Sequence, residues 1–404
     1  MKWLLFAWKN VLRNRRRALL ALLIIAVGTA AGLIGGGFAL FTYESLAEMT
    51  ARDTGHVVVA HSAYFGDDED LPMKNGLSGA GKLTEKFAEM PGVRAVVPRL
   101  HFSGLISNGD KSSIFVGTGV DPETEFRLRG PQMTFVSGEV LSSPAPSVPE
   151  VVIGNELARQ MKAKPGSSLT LLATTTEGNL NAVDVTVKGI ISVGVPDIDK
   201  RLVLTALPAA QKLLLTDKVS TLSLYLKDTS QTDATLALVK TAEPQLAAKT
   251  WLDLAVFYQS VKELYNRIFG ILGAIMVVII LFAMINTLGM AVVERTREIG
   301  TLRAIGSQPG EIVRNFVLEG LVIGGGGAVL GMLMALAITV FLMFANLQMP
   351  PPPGRSTGYA LLINYSTPLY LGAALTVLLV SGIAAWLVSV KAARKPITEA
   401  LAHV

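Results

Sequence analysis

The sequence predicts an α-helical membrane protein with four transmembrane helices, arranged as one followed by three. A large mixed α/β extracytoplasmic domain is inserted between the first and the second. Three observations predict this class. Half of the 404 residues are hydrophobic and only 17% are charged, against about 25% charged in a soluble domain, and the mean hydropathy is +0.47. The apolar residues gather into four long uncharged runs. The charge is sorted along the chain: residues 44–266 carry a net −5 and the remainder +10. A mildly acidic block inside a basic, apolar frame faces a membrane and does not read as a nucleic-acid surface. There is no Cys, which removes disulfide scaffolds, thiolate zinc sites, iron–sulfur clusters and cysteine nucleophiles.

Residues 1–17 come first. Leu4, Trp8, Val11 and Leu12 recur at helical spacing, while Lys2, Lys9 and Arg13 lie elsewhere on the wheel, so the segment reads as an amphipathic helix on the inner leaflet. The first span, 18–43, holds no charge; at about 1.5 Å per residue it reaches about 39 Å, enough for the roughly 30 Å hydrocarbon core. It is too long for the apolar region of a signal peptide, about 7–15 residues, and reads as a retained anchor. The further spans are 267–293, 313–347 and 367–390. Lys and Arg crowd the N-terminus, the segment after the second span (Arg295, Arg297, Arg303, Arg314) and the tail at 391–404, whereas the 348–366 loop carries only Arg355. By the positive-inside rule both termini are cytoplasmic, and 44–266 and 348–366 lie outside.

The external block mixes strands and helices. Residues 55–61, 93–97, 101–107, 113–120 and 218–227 read as strands, and 82–90 and 232–244 as helices. The first and last parts, 44–135 and 218–266, share this character and pair as one discontinuous subdomain. A strand-rich insert at 136–217 has turn signals at Lys164-Pro165-Gly166 and Glu177-Gly178-Asn179.

Candidate chemistry is thin. Gly76, Gly81 and Lys82 fit a phosphate-loop spacing, but Leu83 stands where Ser or Thr must hold magnesium and no apolar strand precedes it; a flexible turn is expected. His56 and His61 face opposite sides of a strand, and the acidic run from Asp67 to Asp70 reads as a solvated loop, so no metal site is expected. The absence of a nucleotide signature places any ATPase in another chain. Glycines at 28, 32 and 36 in the first span, and at 320, 324, 327 and 331 in the third, form small-residue faces for close helix packing. Glu319 is costly in a span unless paired. The four prolines at 350–353 predict a stiff extended spacer.

The segment 294–312 is the most informative. Ile299, Leu302 and Ile305 share a helical face, and Glu294 with Arg297 is spaced for an ion pair. Gly306 suits a helix stop, Ser307 a cap for the next helix and Pro309 its first turn. The run Val293-Glu294-Arg295-Thr296-Arg297-Glu298-Ile299-Gly300-Thr301-Leu302-Arg303-Ala304-Ile305-Gly306 resembles the coupling-helix signature of the MacB/LolC/FtsX-like, or mechanotransmission, ABC permeases. The likeness extends over the chain, through the one-plus-three spans to the tail sequence from Lys395 to Leu401.

The resemblance implies that residues 294–306 contact a separate cytoplasmic ABC ATPase dimer, with ATP and magnesium on that partner and no cofactor or catalytic residue in this chain. It implies a second permease, identical or paralogous, membrane lipids around the spans, and a porter-like external subdomain with an inserted lobe. A bacterial inner-membrane location follows. The expected work is release or export of a lipid-linked or amphiphilic cargo (a lipoprotein, lipid, peptide or drug), assisted by a periplasmic carrier or adaptor. The alternative is a transmembrane regulator of a periplasmic cell-wall hydrolase. The proline run departs from the family's best-known members.

Overall fold

The computed structural model describes residues 7, 10, 11, 13, 15–66, 71–129, 133–143, 146–345, 347–349, 359–394 and 396. The acidic run at 67–70, the prolines at 350–353, Arg355, most of the expected amphipathic helix and nearly all of the tail beyond Arg394 lie outside the described residues. The chain divides into two compact units: Met1–Glu44 with Val261–Gln348 and Ala360–Val404, and Ser45–Ser260 with Met349–Tyr359.

Among the described residues, four helices are long and apolar enough to cross a membrane: α1 (Arg15–Thr54), α9 (Val256–Glu294), α11 (Pro309–Ala345) and α12 (Thr367–Ala393). All four outrun their expected spans at one end at least, α1 and α9 furthest. Helix α1 continues past residue 43 to Thr54, and α9 begins at Val256, not 267. Residues 44–54 contain no helix breaker and add an Arg52–Glu48 pair one turn apart; Gly55, at φ +92°, ends the helix. Charge marks where a membrane span stops, not where a helix stops. Ile25, Ile280, Met284, Leu288, Ile323, Val377, Ala384 and Ala385 form a buried core to which all four helices contribute.

The other unit is built on a ten-stranded sheet. Its path is β10 (Leu246–Thr250), β1 (Val57–His61), β9 (Thr221–Leu226), β2 (Val93–Ser107), β3 (Ser112–Val120), β8 (Leu202–Ala206), β5 (Glu150–Gly154), β7 (Leu180–Ser192) and β4 (Thr134–Gly138). Strand β6 (Ser168–Thr174) pairs with both β2 and β7. Six strands therefore close on themselves, in the order β2-β3-β8-β5-β7-β6 and back to β2, a barrel that leaves no free edge among its members. Its interior is packed by Phe102, Ile106, Phe115, Val151, Ile153, Leu171 and Val203, with the Phe102 and Phe115 rings edge to face at 5.5 Å.

The second core lies over β10-β1-β9 and the first half of β2. There Val57, Val59, Leu222 and Leu224 meet Phe87 of helix α2 (Ala80–Ala88) and Val239 of helix α7 (Thr232–Ala242). This corrects the division read from sequence. Residues 100–120 belong to the barrel and not to the 44–135 lobe, because β2 is one continuous strand. Its first half pairs with β9 and its second with β3 and β6. The Gly76–Lys82 turn is also firmer than expected, since Leu77 is buried and bridged to Val219.

A buried charge cluster fastens the end of α1 within this unit. Arg99 is paired to Glu125, with Nη2 and Oε2 2.9 Å apart. It also donates to the carbonyl of Asp53 at 2.8 Å and to the Tyr225 hydroxyl at 2.6 Å. Arg129 bridges Glu125 at 2.8 Å and Asp53 at 3.1 Å. Burial alone would raise the Glu125 carboxyl, but Arg99 and Arg129 outweigh it and hold the group below its ordinary range. The guanidinium of Arg99 thus caps helix carbonyls left without an intrahelical donor.

Candidate functional site

Between α9 and α11 lies the short helix α10 (Thr296–Ala304). The chain breaks at Arg295, whose φ of −102° and ψ of 12° are not helical, and Thr296 returns a side-chain bond to the carbonyl of Val292 at 3.0 Å. The helix closes on Gly306 at φ +108°. The Ser307 amide donates to Leu302 at 3.0 Å and the Gly306 amide to Arg303 at 3.1 Å, the paired bonds of a Schellman stop. The next helix is capped differently from expectation. Gln308, not Ser307, precedes Pro309, and the Glu311 carboxylate accepts from the Gln308 amide at 3.3 Å, one half of a capping box.

The apolar face divides in two. Ile299 is buried against Val292, Ile312, Phe316, Ala392 and Ala393, and Gly300 is buried beside it. Leu302 is 48% exposed and Ile305 79% exposed. Ile299 therefore seats the helix and only Leu302 and Ile305 point away. Around them Arg297, Glu298 and Ala304 are exposed and Arg303 is half-buried. Arg295 departs from its expected place on this surface. It is 6% exposed and its Nη1 lies 3.0 Å from Glu319 of α11, which supplies the partner that Glu319 requires in an apolar helix. The Glu294–Arg297 pair expected from spacing is displaced by the break at Arg295. Glu294 pairs with Arg17, and Glu298 with Arg13.

The glycine faces separate by what a Cβ would meet. At Gly320 it would stand 2.6 Å from the Ala385 Cβ and at Gly324 2.3 Å from Ser381 Oγ, both on α12. At Gly327 it would meet Ile25 at 2.6 Å and at Gly331 the Ala26 carbonyl oxygen at 2.6 Å, both on α1. One helix thus presses two others, α12 at its first two glycines and α1 at the next two. In α1, Gly28 makes ordinary contact with Ile280 at 3.5 Å and Gly36 meets Leu369 at 3.0 Å, but Gly32 has nothing within 4 Å. Gly32 is not a packing contact among the described residues. The tight position in α1 is Gly37, where a Cβ would stand 2.8 Å from the Asn364 carbonyl oxygen and whose own carbonyl accepts the Asn364 amide at 3.1 Å. Gly37 falls outside the four-residue repeat of Gly28, Gly32 and Gly36 that marks the packing face in sequence. In sequence, Arg13 signals a position on a helical wheel and positive-inside charge, and Arg17 the charge alone.

Two family models match this chain. The MacB-like periplasmic core domain matches residues 18–242 and the FtsX-like permease C-terminal matches 270–397. The lipoprotein-releasing system transmembrane protein LolC of Neisseria meningitidis serogroup B is 27% identical over 68% of this chain and 66% of its own length. LolE of Haemophilus influenzae is 23% identical over 64% and 65%. The pyoverdine export ATP-binding/permease protein PvdT of Pseudomonas putida is 27% identical over 84% and 52%. The chain thus spans less than two thirds of the first relatives' length and about half of the exporter's. The periplasmic region of MacB from Actinobacillus actinomycetemcomitans, a solved structure, covers 52% of this chain and 95% of its own at 14% identity and a TM-score of 0.36. With the core-domain model spanning more than half of the residues and the permease model covering the last three spans, this chain belongs to the MacB-like, FtsX-like family of ABC transporter permeases.

Proposed function

We propose that the chain is the membrane subunit of an ABC system in a bacterial inner membrane, and that it converts ATP hydrolysis by a separate cytoplasmic ATPase into movement of its inserted domain. The observation that carries this reading is α10. It is a nine-residue helix seated by Ile299, closed by Gly306, and presenting Leu302 and Ile305 outward among Arg297, Glu298 and Arg303. Exposed apolar side chains inside a charged rim suit insertion into a groove of another protein. The excess of Lys and Arg at these ends supports a cytoplasmic setting for α10 and both termini and an external one for the inserted domain. A second permease, identical or paralogous, completes the assembly. The spans carry few polar groups for a hydrophilic channel, so the work falls on a lipid-linked or amphiphilic cargo at the outer face, consistent with relatives named for lipoprotein release and pyoverdine export.

Purification of the tagged chain from its native membrane, with identification of co-eluting proteins and lipids, tests the proposal. An ABC ATPase together with a lipoprotein, lipid or amphiphile supports it. Elution with a cell-wall hydrolase and no cargo overturns the transport half.

A further inference from the structure

Among the described residues, three ion pairs converge on α10 and its flanks. Arg13 Nη2 donates to both carboxylate oxygens of Glu298, at 2.9 and 3.1 Å. Arg17 pairs with Glu294. Arg295, buried at the break, holds Glu319 at 3.0 Å and donates from Nη2 to the carbonyl of Asn10 at 3.3 Å. The three positions that reach back, 10, 13 and 17, lie on helical backbone and recur at intervals of three and four, which puts them on one helix face. The positive-inside rule asks only for charge and is indifferent to that spacing.

We infer that Arg13 and Arg17 form an electrostatic clamp that sets the orientation of α10, with the buried Arg295–Glu319 pair as its pivot. The clamp rests on the reading of α10 as the ATPase contact only for its consequence, not for its existence. A nine-residue helix is too short to hold itself in water, where about 12–15 residues are marginal. Ile299 fixes it from the α11 side; the two arginines fix it from the N-terminal side. Each exposed pair is individually weak, on the order of 1.4-fold to 5-fold in an equilibrium. Both are open to salt, because the Debye length shrinks from about 8 Å at 0.15 M to about 3 Å at 1 M.

The test is amide hydrogen exchange over residues 296–304 in the full chain in lipid nanodiscs, with charge swaps. Arg13→Glu or Glu298→Arg alone is expected to speed exchange about 2-fold to 10-fold, and 1 M salt to do the same to the wild type. The double swap R13E/E298R should return exchange to within about 2-fold of wild type. R17E with E294R should behave alike. Single reversals without effect, or a double swap without rescue, overturn the clamp. Copurification of the ATPase with the same variants keeps the two readings apart. If exchange responds and is rescued while ATPase recovery never changes, the clamp stands and the coupling role of α10 falls. If exchange is unmoved while other α10 variants lose the ATPase, the clamp falls and the coupling role stands.

Discussion

Replacing Gly331 by Ala should loosen the helical unit, whereas the same change at Gly32 should not. At Gly331 the new Cβ would stand 2.6 Å from the carbonyl oxygen of Ala26 and 2.7 Å from Thr29 Cβ. Carbon contacts settle at about 3.5–4.0 Å, so α1 and α11 would have to part by about 1 Å. The obstacle is backbone, which no rotamer change can move aside, and Thr29 is itself tied to Ile25 by a 2.7 Å bond. Overpacking of this kind costs about 1–3 kcal/mol, offset by at most about 1 kcal/mol of helix propensity gained on losing Gly. Because the contact is with backbone the upper part of that range, about 2–3 kcal/mol, applies, and the net expectation is a loss of about 1–2 kcal/mol. Gly32→Ala meets nothing within 4 Å, so only the propensity gain applies within the chain. Unfolding of the purified chain in mixed micelles by increasing dodecyl sulfate, followed by helical circular dichroism, reads the difference. Equal midpoints for Gly331→Ala and wild type, or a larger loss at Gly32 than at Gly331, would refute the packing account.

Gly37→Val should displace the segment around Asn364, read as faster hydrogen exchange at 361–366, because its side chain would overlap Ile363 and the Asn364 carbonyl. Acid should weaken the inserted unit in two stages. His56 is held neutral by burial and accepts the Leu226 amide at Nδ1, so its contribution is present above the ordinary value of 6.5 and is lost as pH falls below it. Glu125, held below its ordinary range, contributes until pH drops through its lowered value. Thermal midpoints of the full chain between pH 8 and 3 should fall in that order, and a flat profile would contradict the sign. Single cysteines at Ser230 and Ser307 in this cysteine-free chain test orientation: an impermeant thiol reagent in spheroplasts should label 230 and spare 307.

Much of this architecture is legible in sequence because lipid leaves few options. A long uncharged run reads as a span, because in lipid a helix satisfies its own backbone. The stop at Gly306 was equally legible, since a left-handed residue after an amphipathic turn favours glycine. What was not legible depends on three-dimensional partners. Nothing in the spacing of Ile299, Leu302 and Ile305 says that the first turns inward. Arg295 looks like its neighbours until Glu319, 24 residues away, takes it out of the surface. The barrel is hidden because β2 serves two cores: its buried positions change phase at Arg99 and Leu100, so 93–97 and 101–107 read as two strands where the chain forms one.

The central claim is that α10 docks the ATPase through Leu302 and Ile305, and the double variant Leu302→Ala with Ile305→Ala tests it most directly. Both side chains are exposed in this chain, so truncation should leave the permease folded. Anchors that fill a partner pocket typically cost about 2 kcal/mol or more each when removed, about thirtyfold in affinity per residue. The measurement is recovery of the ATPase that copurifies with the wild-type chain, together with its hydrolysis rate in reconstituted membranes. The account predicts loss of most of the bound ATPase and of permease-dependent hydrolysis, with Ile299 and the spans undisturbed by circular dichroism. Wild-type recovery and wild-type hydrolysis in the double variant would contradict it.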